Sequence, residues 1–163
     1  MRDSILKDKK ILAVDDEPDV LDVLEEEIRA ACPTCVVDKA TDHDMAKKMI
    51  TLLDYDVIIL DIMGVRGFEL LDEAVKRNCK VAMLTAHALT PEALEKSYKM
   101  GARAYIPKEK IGEIVPFIED ILTSEFAPGW KGLFKKLKGF FDTKFGADWY
   151  EKTDIQRTWD MWG

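Results

Sequence analysis

The chain has 163 residues, 47% hydrophobic and 34% charged, with 24 Lys+Arg against 31 Asp+Glu and a net charge of −7. That length suits one full-sized domain plus an appendage, and that composition suits a soluble globular protein. No apolar run approaches the ~20 residues needed to span a bilayer, residues 1–4 lack the apolar core of a signal peptide, and three cysteines (Cys32, Cys35 and Cys79) give no even disulfide framework, so a cytoplasmic protein is expected.

In chain order, Ile11-Leu12-Ala13-Val14 is the first short apolar run, and Asp15-Asp16-Glu17 follows it directly. Pro18 suits an early helical position, and Val20, Leu21, Leu24 and Ile28 then mark one helical face at spacings of three and four. Cys32-Pro33 ends that helix. Cys32 and Cys35 have the spacing of a redox pair, but they follow a helix, whereas a thioredoxin-like pair precedes one. With no second pair to complete a zinc site, the spacing reads as chance. Val36-Val37 marks a short second strand, and Thr41 or Asp42 caps a helix carrying Met45, Met49 and Ile50.

The centre of the chain is Val57-Ile58-Ile59-Leu60, four consecutive branched apolar residues that read as a strand buried on both faces, the mark of a parallel sheet. Asp61 comes next, at the strand's carboxyl end, the edge where open α/β folds bind ligands. A helix with Phe68, Leu70, Leu71, Ala74 and Val75 follows. Val81-Ala82-Met83-Leu84 then ends in Thr85. Thr90-Pro91 reads as an N-cap with Pro at the first helical position, opening a helix through Leu94 and Tyr98 to Met100, which Gly101 stops. Ala104-Tyr105-Ile106-Pro107 ends in Lys108 and leads to a helix with Ile111, Ile114, Val115, Ile118, Ile121 and Leu122. Pro116 is tolerable there only near the helix start. The alternation predicts an α/β fold: a doubly wound, five-stranded parallel sheet, (βα)5, with helices on both faces and right-handed crossovers.

The composition shifts at Ala127-Pro128-Gly129. Residues 1–125 hold 17 basic and 26 acidic side chains, whereas residues 126–163 hold seven and five, together with all four tryptophans (Trp130, Trp149, Trp159 and Trp162). We divide the chain there, into a domain of residues 1–125 and a helical extension of residues 126–163. In the extension, Trp130, Leu133, Phe134, Leu137, Phe140, Phe141 and Phe145 repeat at helical spacing, with Lys131, Lys135, Lys136 and Lys138 off the stripe. This is a basic amphipathic helix, ended by Gly146. Asp148 and Glu151 resemble a capping box opening a second helix with Ile155, Trp159 and Trp162. The stripe is expected to be covered, by docking on the first domain or on a second copy in a homodimer. Membrane-surface binding is the alternative behind these. No helix-turn-helix is present to make the basic extension a nucleic-acid reader, so no nucleic-acid partner is expected.

Three Asp, one Thr and one Lys thus terminate four separate strands. Clustered carboxylates repel one another and need a cation, and hard oxygen ligands with room for water suit Mg2+. Lys108 adds a point charge suited to a phosphoryl group, and Thr85 offers a hydroxyl at the same edge. A metal, a nucleophilic carboxylate, a lysine and a hydroxyl are the parts of in-line phosphoryl transfer, whose product would be an acyl phosphate on one Asp.

At this point residues 9–124 resemble the receiver domain of two-component response regulators. The resemblance rests on Val14-Asp15-Asp16-Glu17, Ile59-Leu60-Asp61-Ile62-Met63, Leu84-Thr85-Ala86 and Tyr105-Ile106-Pro107-Lys108, specific in this order and at these strand ends. It implies a flavodoxin-like strand order of 2-1-3-4-5. It implies that Asp61 accepts phosphate from the histidine of a sensor histidine kinase or phosphotransfer protein. Asp16 would bind Mg2+ directly and Asp15 more indirectly, with Asp61 and the Met63 carbonyl completing the ligands. Lys108 would bridge to the phosphoryl oxygens, Thr85 would swing towards them, and Tyr105 would turn inward with it. That couples the site to the face of helix 4, strand 5 and helix 5, where the family exchanges downstream protein partners. Met63 and His87 should overlook the water of dephosphorylation; His87 reads first as an idle loop residue.

One departure stands out. The loop Gly64-Val65-Arg66-Gly67 is about two residues short and lacks the family's Pro; Gly64 and Gly67 are read as compensation through positive φ. Two other functions compete with a phosphorylatable switch of protein contacts. A Mg2+-dependent aspartyl phosphatase or phosphotransferase of the haloacid dehalogenase type needs an Asp-x-Asp pair, which Asp61-Ile62-Met63 lacks, and a cap domain. A non-phosphorylated scaffold leaves the five-residue set without a purpose. The chain is therefore expected to be a signalling domain and not an enzyme on a separate substrate.

Overall fold

The computed structural model describes residues 5–155. Its elements run β1 (Lys10–Val14), α1 (Pro18–Ala31), β2 (Val36–Ala40), α2 (His43–Leu52), β3 (Val57–Asp61), α3 (Gly67–Lys76), β4 (Lys80–Thr85), α4 (Pro91–Lys99), β5 (Ala104–Pro107), α5 (Ile114–Thr123) and α6 (Phe126–Phe145), with 3-10 turns at Lys108–Glu113 and Tyr150–Lys152. The five strands form one parallel sheet in the order β2-β1-β3-β4-β5. All five residues of β3 are buried, as its apolar run requires of a strand covered on both faces. Helices α1 and α5 pack together, as do α2 and α3, and Lys96 of α4 lies over the Phe68 ring of α3. The expected doubly wound fold is the one observed.

The local signals act where the sequence places them. Pro18 and Pro91 open α1 and α4. Of the two candidate caps for α2, Asp42 does the work, its carboxylate accepting from the Met45 N–H at 2.8 Å. Thr90 caps α4 by accepting from the Ala93 N–H at 3.1 Å, and Gly101, at φ 96°, ends that chain direction. Pro116 is the third residue of α5, where its missing N–H has no intrahelical partner to lose. Ile111 falls in the 3-10 turn before α5 rather than in the helix itself.

Helix α6 turns back after Ser124-Glu125 and lies along α4, β5 and α5. Trp130, Leu133, Phe134, Leu137 and Phe141 are buried, and they join the same apolar core as the sheet. The Trp130 indole N–H donates to the Ala102 carbonyl at 2.8 Å, while its ring meets Tyr98 edge-on at 5.2 Å. Phe126 lies 5.4 Å from Tyr98, and Phe141 lies 5.9 Å from Tyr105 of β5. Outside the stripe, Lys136 pairs with Asp120 and Lys144 with Glu109. The stripe is therefore covered by its own chain.

Two local readings need correction. Gly146 ends α6 at φ 92°, but no helix opens at Asp148. Trp149 is buried against Phe134, Phe141 and Phe145, its indole N–H held by Asp142 at 2.8 Å. From that anchor the chain passes through the 3-10 turn Tyr150–Lys152 to Ile155, which is helical, and Asp148 pairs with Lys152 instead of capping. Trp159 and Trp162 lie outside the described residues. In the β3–α3 loop neither Gly64 nor Gly67 has positive φ; the left-handed residue is Arg66, at φ 52°. The two glycines are there for space.

Candidate functional site

The parallel sheet sets Asp15-Asp16, Asp61, Thr85 and Lys108 at its carboxyl edge, because the strand pairs run in register to that edge: Val14 beside Leu60, Asp61 beside Leu84, Thr85 beside Pro107. Asp15 is 0% exposed and Asp61 4%. One oxygen from each of Asp15, Asp16 and Asp61 lies within 4.8 Å of the others. Three hard carboxylate donors at that spacing fit a small divalent cation of the Mg2+ kind.

Lys108 reaches into the cluster from the end of β5. Its Nζ is 2.9 Å from Asp15 Oδ2, 3.5 Å from Asp61 Oδ1 and 3.9 Å from Glu17 Oε1, with 12% of the side chain exposed. Despite the short distance, neither Lys108 Nζ nor Asp15 Oδ2 has a well-directed hydrogen bond; the pair is held by charge. Burial pushes the Asp15 carboxyl above its ordinary range, and the pull of Lys108 does not cancel this. Burial also works against the Lys108 ammonium, yet the Asp15 carboxylate at 2.9 Å and the charges of Asp61 and Glu17 outweigh it and hold its pKa up. One cation among this many carboxylates leaves the site short of positive charge.

The backbone completes the arrangement. Asp15 Oδ1 accepts from the Glu17 N–H at 2.9 Å, and Asp61 Oδ2 accepts from the Gly64 N–H at 3.1 Å. Thr85 Oγ1 accepts from the Ala88 N–H at 2.8 Å, which leaves the hydroxyl proton available to another acceptor. The Ala88 carbonyl in turn accepts from Tyr105 O–H at 2.7 Å, and the Thr90 N–H donates to the same Tyr105 oxygen at 3.1 Å. Burial raises the Tyr105 phenol well above its ordinary range. Tyr105 is 0% exposed and already lies inward, against Phe141.

Thus Asp15, Asp16, Asp61 and Lys108 converge on one site, with Thr85 at the adjacent strand end and Tyr105 one hydrogen-bonded loop away. The Met63 side chain points outward, 61% exposed, and His87 is exposed. The Cys32 and Cys35 thiols are unoxidised and buried; Cys32 contacts Thr34 Oγ1, and Cys35 donates to the Lys9 carbonyl with its pKa pushed up by burial to about 11. That is the profile of inert thiols. Sequence reasoning did not single out Gly64 N–H as an Asp61 partner, nor Ala88 as the link to Tyr105. Both act through the backbone, which side-chain identity does not announce.

A model of the response regulator receiver domain matches residues 11–119. A protein-glutamate methylesterase/protein-glutamine glutaminase 2 of Shewanella sp. (strain MR-4) is 33% identical over 115 residues, which are 68% of this chain but 32% of that protein. The chain thus spans about a third of the length of the curated relatives it matches. Among solved structures, a putative response regulator of Chloroflexus aurantiacus is 26% identical with a TM-score of 0.62, covering 72% of this chain and all of that one. The response regulator TrrA of Thermotoga maritima, solved in complex with Mg(2+)-BeF, is 30% identical with a TM-score of 0.55, covering 68% of this chain and 98% of its own.

Proposed function

Because the chain belongs to the response regulator receiver family of two-component signalling, we propose that Asp61 is its phosphoacceptor. The observation that carries this is convergence: the ends of β1 and β5 bring two further carboxylates and one ammonium to the Asp61 carboxylate at the end of β3, and the Thr85 hydroxyl stands at the end of the neighbouring β4. In the transfer, an Asp61 carboxylate oxygen attacks the phosphorus of a phosphohistidine on a sensor kinase or phosphotransfer protein. The P–N bond breaks, its electron pair returns to the imidazole, and an acyl phosphate forms. Lys108 stands where it can neutralise charge on the phosphoryl oxygens, and the free Thr85 proton is a donor for them. Asp15, Asp16 and Asp61, with the Met63 carbonyl, would hold Mg2+. When bound, that ion offsets the carboxylates' repulsion and the charge of the transferring group.

The activity named for the curated relatives belongs to those longer proteins, and nothing in residues 5–155 is assigned to it. For this chain the supported role is a phosphorylation-controlled switch of protein contacts, with residues 1–125 as the receiver and residues 126–163 as its effector extension. Two features support the second part. Helix α6 covers the α4–β5–α5 face, and a chain of contacts runs from Thr85 through Ala88 and Tyr105 to Phe141. A phosphoryl group that pulls on the Thr85 hydroxyl would act at the head of that chain, which is the route that would link phosphorylation to α6 docking. Cis docking also favours a lid over a homodimer built on the same stripe.

The test of the acceptor is incubation with Mg2+ and acetyl phosphate followed by intact mass. The wild-type chain should gain the mass of one phosphoryl group, and Asp61→Asn should gain none. An equal gain in Asp61→Asn would sink the assignment.

A further inference from the structure

The short β3–α3 loop holds Gly64 and Gly67 against two different obstacles. A Cβ built on Gly67 would overlap the Asp61 backbone carbonyl and crowd the Ile62 Cα. A Cβ built on Gly64 would overlap all three atoms of the Asp16 carboxylate. The first obstacle is the backbone at the end of a buried strand, which cannot move without disturbing the sheet. The second is the tip of an exposed side chain, which can rotate about χ1 at little cost. An alanine at 67 therefore strains the fold, whereas an alanine at 64 turns Asp16 away.

Asp16 is one of the three carboxylates whose oxygens lie within 4.8 Å of one another. Gly64 also gives its N–H to Asp61 Oδ2 at 3.1 Å. One residue thus touches two of the three acidic groups, tethering one by its backbone and admitting the other by having no side chain. We propose that Gly64 is a positioning residue for the metal cluster: the two-residue shortening of the loop brings its Cα against Asp16, and only glycine there leaves the Asp16 carboxylate in place to coordinate. This rests on reading the cluster as a Mg2+ site.

The test uses the full chain and Mg2+ alone, titrated while following amide shifts near Asp15, Asp16 and Asp61, beside melting curves in EDTA. Gly64→Ala should weaken Mg2+ binding about 10–100-fold, the loss typical when a group orienting a metal ligand is changed. Its melting temperature in EDTA should stay close to wild type, while Gly67→Ala melts lower. In an Asp16→Ala background, Gly64→Ala should cause no further loss of affinity, because the ligand it displaces is already gone. Should Gly64→Ala melt lower after all, Asp16→Ala in the same chain should restore the melting temperature. Wild-type Mg2+ affinity in Gly64→Ala, additive losses in the double variant, or a melting defect that Asp16→Ala does not relieve would each overturn the inference while leaving the metal site standing. Absence of Mg2+ binding by the wild type would overturn both.

Discussion

The two ends of the α4–β5–α5 region are built on opposite terms. At the sheet edge, three carboxylates and one ammonium are gathered with few directed hydrogen bonds, and Asp15 is buried at the expense of its charge. Beneath α6, large aromatic side chains interlock, and the Trp130 N–H has an acceptor at 2.8 Å. The first region is held in tension by the fold and gains when a cation or phosphoryl group arrives; the second contributes to holding the fold. Sites that must respond to a ligand are left unsatisfied, and the elements around them supply the stability they lack.

This contrast predicts opposite signs for substitutions in the two regions. The largest effect is expected at Trp130, which is fully buried. Trp130→Ala removes that packing and leaves the Ala102 carbonyl unpaired, and should cost about 3–5 kcal/mol in denaturant unfolding. A cost under about 1 kcal/mol would mean that α6 is not part of the core. Asp15→Asn should do the reverse in EDTA, raising the melting temperature by less than Trp130→Ala lowers it, because it removes a buried charge from a crowded acidic site. The same variant should bind Mg2+ poorly.

A smaller effect follows from pH. Burial raises the folded-state pKa of Asp15 above its unfolded value of about 3.9. Between those two values the folded chain binds more protons than the unfolded one, so Asp15 makes apo stability fall as pH rises through that window. Mg2+ should suppress this contribution by stabilising the carboxylate. Thermal melts of wild type and Asp15→Asn from pH 4 upward, with and without Mg2+, check the sign; a wild-type curve parallel to that of the variant would contradict it. The smallest effect is expected at Lys136→Ala, whose pair with Asp120 is nearly half exposed on both sides, at about 0.2–1 kcal/mol.

Much of this was legible in the sequence, for identifiable reasons. Strands buried on both faces write themselves as unbroken apolar runs, so the residues that close each run (Asp15, Asp61, Thr85 and Lys108) stand out without structural help. Helix α6 was legible in its period. Its seat was not, because a stripe says that a face is covered and not by what; the acceptor for Trp130 is a backbone carbonyl with no sequence signature. The capping-box reading at Asp148 failed because burial of Trp149 outweighed a local preference. The φ reading of Gly64 and Gly67 failed because a glycine can be required by a neighbour's bulk as well as by its own backbone; for Gly67 that neighbour is the Asp61–Ile62 backbone, and for Gly64 it is Asp16, nearly fifty residues away in the chain.

The central claim is that the acidic site and the α6 seat form one switch through Thr85, Ala88, Tyr105 and Phe141. Amide hydrogen exchange in residues 126–145, compared with and without acetyl phosphate at constant Mg2+, measures this most directly. The account predicts that exchange in α6 changes when the wild-type chain is phosphorylated and stays as it was in Asp61→Asn under the same conditions. Identical α6 exchange in unphosphorylated and fully phosphorylated wild-type protein would contradict it.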